Sequence, residues 1–176
     1  AIKDGRVAKI EVPDFTPMPV QSWVLNLRKP IFQDRRVREA LNLAFDFESL
    51  NKTIFYNSYI RLRSYWQRSD LEAKGLPTAA ERALLEPLKD KIPPEVFTQE
   101  FRQPTTDGSG TPRANLLKAR DLLTQAGWVL KDGVLTKDGK PFTFEMLEVQ
   151  AGLEVVITPW IQNLQRLGIK ATMRVI

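Results

Sequence analysis

The last third of the chain carries the tightest constraint on its fold. Two apolar helical stripes each end on a glycine, and a strand-like run follows each. Thr111 and Pro112 mark an N-cap and a first helical position. Leu116, Ala119, Leu122, Leu123 and Ala126 then recur on one helical face. Gly127 supplies a left-handed stop, with Trp128 placed to fold back on Leu123. Two Asp-Gly pairs follow, Asp132-Gly133 and Asp138-Gly139, and each favours a tight hairpin. "FTFEMLEV" (142–149) reads as a strand. Leu153, Ile157, Trp160, Ile161, Leu164 and Leu167 form the second stripe, Gly168 closes it, and "IKATMRVI" (169–176) reads as a final strand. Alternating helices and strands of this kind predict a mixed α/β class, with a small sheet flanked by helices.

The earlier part is less regular. Residues 6–12 ("RVAKIEV") read as a short strand, and Pro13, Pro17 and Pro19 as a stiff connection. In "QSWVLNL" (21–27), Trp23, Leu25 and Leu27 alternate with polar or small neighbours, which predicts a strand closed by Pro30. Asp34 is a good N-cap for a helix whose buried face is Val37, Ala40, Leu41, Ala44 and Phe45. Asp46 restarts a short helix through Leu50 and Ile54. No period holds from Asn57 to Pro77, a length that points to a functional loop. Residues 78–90 read as a helix despite Pro87, Pro93 and Pro94 break it, and 104–112 are turn-rich. The 176 residues, 43% apolar, suit one globular domain.

Composition excludes several chemistries. The chain has no cysteine and no histidine. A disulfide framework, a thiolate or imidazole metal site, and a Ser-His-Asp triad are therefore impossible within it. A net charge of +5 is compatible with an anionic partner without requiring one. There is no apolar run of about eighteen residues, as a membrane-spanning helix needs. The chain begins "AIKDGRV", without methionine, and ends on an apolar run, which reads as a cut fragment.

Four constellations could carry function. Arg35, Arg36 and Arg38 crowd the start of the first helix, where the macrodipole repels cations. Glu39, Asp46 and Glu48 lie close by in sequence, which favours ion pairs over contact with nucleic acid. In "SYIRLRSYW", Tyr59, Arg61, Arg63, Tyr65 and Trp66 interleave charge and aromatic rings. That mixture suits a cleft gripping an extended peptide; it equally suits single-stranded nucleic acid, or a loop whose rings pack on the core. "TTDGSGTP" lacks the Gly-Lys-Ser/Thr ending of a phosphate-binding loop and reads as a polar turn. Asp132 and Asp138 serve turn geometry. Nothing points to a catalytic carboxylate pair.

Together the motifs resemble one family. Asn26, Pro30, Phe32, Asp34, Arg36, Val37, Arg38, Ala40, Leu41, Ala44 and Asp46 fit a pattern typical of family 5 bacterial extracellular solute-binding proteins, the peptide receptors of ABC importers. "KARDLLTQAGW", "DGKPFTFEML" and "LQRLGIKATMRVI" follow as a second signature in the same order. The wording of 55–77, 84–101 and 105–123 is similar to the branch that holds the microcin C and oligopeptide receptors. The resemblance implies two α/β lobes closing by a hinge around a ligand. Residues 1–176 would be a single domain, part of the second lobe, with the other lobe and the C-terminal remainder absent. It further implies a periplasmic monomer without cofactor or catalytic activity. Its partners would be peptide and ABC permease subunits, not nucleic acid. Arg36 and Arg38 would be ion-pair donors within the scaffold, and Tyr59, Arg61, Arg63, Tyr65 and Trp66 cleft-facing ligand contacts. Half a cleft would bind peptide weakly or not at all.

Overall fold

A computed structural model describes residues 3–8, 10, 12 and 16–176. The chain gathers into two compact units. One comprises residues 1–22 and 62–102; the other comprises residues 23–61 and 103–176.

The second unit holds the core. A 3-10 turn at Pro30–Phe32 leads to α1 (Arg35–Leu43), and α2 spans Phe47–Thr53. Asp34 caps α1 by accepting the Arg36 N–H at 2.9 Å, and Asp46 caps α2 by accepting the Ser49 N–H at 3.1 Å. Both caps fall where the sequence places them. Helix α4 (Arg113–Gln125) packs along α1. Ala40, Ala44, Ala119 and Ala126 are buried, and their small side chains allow close approach. Val37, Leu41, Leu116 and Leu123 fill the same cluster. Each fully buried aliphatic side chain contributes about 1.5–3 kcal/mol.

Helix α4 ends as a full Schellman motif. Gly127 N–H donates to the Thr124 carbonyl at 2.9 Å, and Trp128 N–H to the Leu123 carbonyl at 3.0 Å. At its start, Pro112 rather than Thr111 holds the N-cap position and makes no side-chain cap bond. Strands β1 (Val129–Lys131), β2 (Val134–Lys137) and β3 (Lys140–Pro141) form an antiparallel meander. Both Asp-Gly turns have positive φ at each central residue, 50° and 77° at Asp132-Gly133 and 50° and 73° at Asp138-Gly139, as a type I′ turn requires. Strand β4 (Thr143–Glu148) pairs in parallel with β5 (Lys170–Val175), and α5 (Glu154–Arg166) forms the crossover. Gly168 closes α5 at φ 83° and lies so close to β2 that a Cβ would sit 2.9 Å from the Leu135 nitrogen. Only glycine meets both demands.

Two expected strands do not form among the described residues. "QSWVLNL" (21–27) pairs with no other strand. Its alternation survives in part as burial: Trp23 and Leu25 are half-buried and Val24 is 90% exposed, but Leu27 is exposed too. Of 6–12, Lys9 and Glu11 lie outside the described residues, as does Pro13, and the remaining residues of that stretch form no strand.

In the first unit, Thr78 and Glu81 form a capping box at α3 (Ala79–Leu85). The expected helix over 78–90 stops there, because Pro87 cannot donate to the ladder; a 3-10 turn, Glu86–Leu88, continues it. Among the described residues no helix is long and apolar enough to cross a membrane.

Candidate functional site

The arginines of α1 do not present a recognition surface. Arg36 pairs with Asp34 at 2.6 Å, and its Nη1 donates to the Gln125 carbonyl at 2.7 Å. Lys137 Nζ donates to the adjoining Ala126 carbonyl at 2.7 Å. Two cations thus meet the negative end of α4. Arg36, first through its hydrogen bonds, holds the Asp34 carboxylate down at about 2. Arg35 pairs with Glu39 at 2.6 Å. Arg38 instead donates to the carbonyls of Phe32 and Gln33, at 2.9 and 2.8 Å. Its partner is the 3-10 turn before the helix rather than the carboxylate that the resemblance implies.

The carboxylates near α2 are equally committed. Asp46 is buried. Besides capping α2 it accepts the Gly110 N–H at 2.8 Å and shares the Thr106 hydroxyl with Glu48. Glu48 also accepts the Thr106 N–H at 3.0 Å. The turn-rich loop 104–112 is therefore tied onto the start of α2. A cleft of about 240 Å³ opens beside it, lined by Asp46, Ser49, Leu50, Pro159, Trp160 and Asn163 among others. Its most polar walls are already satisfied from within. Trp160 Nε1 donates to the Leu41 carbonyl at 2.9 Å, and Asn163 Nδ2 to the Ala44 carbonyl at 3.1 Å. No set of three or more metal-ligating side chains comes together among the described residues.

The five residues of the aromatic-basic stretch divide between the units. Tyr59 and Arg61 belong with the core unit. Left-handed backbone at Tyr56 and Asn57 (φ 51° and 60°) turns the chain after α2. Asn51 then clamps Tyr59, donating to its carbonyl at 2.9 Å and accepting its N–H at 3.1 Å. The Tyr59 ring lies 4.5 Å from Phe55 and stays half exposed. Arg61 points inward. It donates to Asn42 Oδ1 at 2.6 Å and to the Pro104 carbonyl at 2.7 Å, with its guanidinium over Phe45 and Phe47. Burial pushes its pKa down, and Glu48 offsets part of that.

Arg63, Tyr65 and Trp66 belong with the other unit. Gln67, itself buried, accepts the Arg63 N–H at 2.9 Å, and its carbonyl accepts the Met18 N–H at 3.0 Å. Glu72 gathers the Arg68 N–H at 3.0 Å, Arg63 at 3.1 Å and Lys74 at 3.7 Å. These partners, the Arg68 amide first, hold its carboxylate below the usual range. On this frame Tyr65 is 78% and Trp66 60% exposed, and neither ring stacks on another among the described residues. Sequence reasoning missed Gln67 and Glu72 as organisers; a Glu four residues beyond an Arg in a loop is too common to single out. It also missed Asn42, which only the fold brings to Arg61.

The sequence model for "Bacterial extracellular solute-binding proteins, family 5 Middle" matches residues 3–176. The chain belongs to family 5 of the bacterial extracellular solute-binding proteins. Among curated family 5 relatives, it is 45% identical over 183 residues to the uncharacterized protein y4wM of Sinorhizobium fredii, covering 100% of this chain and 27% of that protein. It is 41% identical over 180 residues to the probable peptide-binding protein YejA of Agrobacterium fabrum, covering 100% and 29%. This family 5 chain thus spans less than a third of the length of these relatives. The solved structure of the oligopeptide-binding protein AppA from Bacillus subtilis, in complex with a nonapeptide, shares the fold. Its TM-score is 0.59 at 22% identity, over 86% of this chain and 25% of that one. The mixed α/β architecture expected from the sequence is therefore that of a piece of a solute-binding protein.

Proposed function

We propose that these residues are part of the receptor of a peptide ABC importer. The full-length protein captures a peptide or peptide-like compound in the periplasm and delivers it to permease subunits in the inner membrane. It acts as a monomer and catalyses no reaction. The observation that carries this is the family 5 match over 3–176, together with 41% identity to a protein named as a probable peptide-binding protein. The finer placement, with receptors of microcin C-like compounds, rests on the wording of 55–77, 84–101 and 105–123.

Within this reading Tyr65 and Trp66 offer exposed rings for stacking, and Arg63 offers a cation for ligand carboxylates. Tyr59 supplies a further half-exposed ring. Arg61 acts indirectly, holding the loop at Pro104 to α1 through Asn42. Backbone hydrogen bonds and enclosure provide most of the affinity. The 176 residues alone bind weakly or not at all, because one wall of a cleft leaves the ligand hydrated on its other side.

Calorimetric titration of the full-length protein with a defined peptide mixture tests the assignment. Trp66→Ala and Arg63→Ala should each weaken binding; unchanged affinity in both rejects these residues as ligand contacts. The rival use of the same stretch, binding single-stranded nucleic acid, predicts oligonucleotide affinity that falls steeply with salt.

A further inference from the structure

The chain leaves the core unit after Arg61 and returns to it at Gln103. One side chain of α1 meets both places. Asn42 Oδ1 accepts Arg61 Nη2 at 2.6 Å, and Asn42 Nδ2 donates to Gln103 Oε1 at 3.0 Å. Arg61 Nη1 crosses from the departing passage to the returning one, donating to the Pro104 carbonyl 43 residues away in sequence. The anchors on either side do something different. Asn51 ties Tyr59 to α2, and Glu48 ties Thr106 to α2, one passage each. Among the described residues, no other hydrogen bond joins 59–61 to 103–106. Both acceptors of Arg61 are neutral, and its half-buried guanidinium lies over the Phe45 and Phe47 rings, at 5.5 and 6.0 Å. Sheltering a cation without a carboxylate in hydrogen-bonding contact is unfavourable. A planar fork that reaches two acceptors on separate segments offsets this by fixing their geometry, which a lysine ammonium would not do. Arg63, by contrast, pairs with the carboxylate of Glu72.

We propose that Arg61 and Asn42 form a cross-brace at the base of the 62–102 excursion, and that through it Arg61 positions the ligand-facing side chains without touching ligand. The second half of this rests on reading Arg63, Tyr65 and Trp66 as ligand contacts; they follow Arg61 by two to five residues. The excursion has few buried stripes of its own and relies on Gln67, Glu72 and the Gly75 N–H bond to Glu100, at 3.3 Å. Such a segment gains from having its ends fixed. A loop of about forty residues held at its base has fewer open conformations to compete with the ordered one. The brace therefore acts on order within 62–102, and α4 and α5 keep their packing without it.

The full-length protein tests this as the parent, Arg61→Met, Asn42→Ala and the double variant. Hydrogen exchange without ligand comes first, and its outcome is independent of what the receptor binds. Amides of Arg63 and Gly75 should exchange at least about tenfold faster in each single variant, with α4 and α5 unchanged. The double variant should be no faster than the singles, since either change breaks the same brace. Unchanged exchange within 62–102 overturns the proposal, as do equal increases in α4 and α5 or single effects that simply add. Calorimetric titration with a defined peptide mixture, and with the same mixture amidated at the C-terminus, tests the positioning role. Arg61→Met and Asn42→Ala should weaken both forms by the same factor, about tenfold. A larger loss for the free acids in Arg61→Met alone would make Arg61 a carboxylate contact and overturn that role. A parent that binds neither form overturns the peptide reading and the positioning role with it, while the exchange result still decides the brace.

Discussion

The two units solve the same folding problem by different means. The core unit is built from periodic apolar stripes whose residues bury one another. The unit of 1–22 and 62–102 has few such stripes. Its α3 has no buried residue, and Tyr65, Trp66, Leu71, Leu84 and Phe101 are all exposed. It is organised instead by polar hubs, Gln67 and Glu72, that collect backbone and side-chain donors. Apolar burial gives free energy in proportion to area and tolerates little change. Polar hubs, even ones as sheltered as Gln67 and Glu72, give order at small net gain, because each bond replaces one made to water in the unfolded chain. The contrast separates a unit held by apolar burial from one held by local polar contacts.

Two tryptophans should separate the units most widely. Trp160 is 5% exposed, stacks on Trp23 and satisfies the Leu41 carbonyl. Trp160→Ala should cost about 3–5 kcal/mol, a large fraction of a domain's stability. Trp66→Ala should change stability by no more than about 0.5 kcal/mol. Urea denaturation followed by circular dichroism measures both. Similar midpoint shifts for the two variants would break the division.

Asp46→Ala should come next, at about 2–3 kcal/mol. It removes the cap of α2 and leaves the Gly110 N–H without its acceptor, while the Thr106 hydroxyl keeps only Glu48. Asp46→Asn keeps the cap but cannot receive both loop donors on charged oxygens, and it should fall between the alanine variant and the parent. In the other unit, Glu72→Gln should leave the midpoint almost unmoved while speeding exchange at the Arg68 amide, which the carboxylate now accepts. A global loss in Glu72→Gln would show that the polar hub supports more than its own loop.

The core unit was far more legible than its companion. Asp34, Asp46, Gly127, Gly168 and the two Asp-Gly turns announce themselves because each serves a local backbone need, visible within four residues of sequence. What failed was non-local. Trp23, Leu25 and Leu27 carry the pattern of a strand, but pattern alone cannot supply a partner. Thr111 resembles an N-cap, yet it lies one residue too early once Pro112 takes that place. The carbonyl caps on α1 and α4 come from Trp160, Asn163, Arg36 and Lys137, residues far along the chain, and no spacing rule finds them. At the candidate site the composition of 59–66 was visible, but not which groups turn inward. Arg61 and Arg63 look alike in sequence; the first serves Asn42 and Pro104, the second Glu72.

The smallest effect concerns acid. Asp34 has its carboxylate lowered from an ordinary value of 3.8 to about 2, chiefly by Arg36. A depressed folded-state value means stability that is fully present above pH 3.8 and is lost as pH falls toward 2. Solvent reaches this pair, so screening limits the contribution to about 1 kcal/mol or less. Asp34→Asn keeps a good cap but cannot titrate, so its stability should be flatter than the parent's across that window. Denaturant midpoints at pH 4.5, 3.5 and 2.5 for the two proteins measure the difference. The parent should lose more than the variant between the last two points. Parallel curves would mean that Arg36 acts through the Gln125 carbonyl at the end of α4, and that its pairing with Asp34 adds nothing to the core unit.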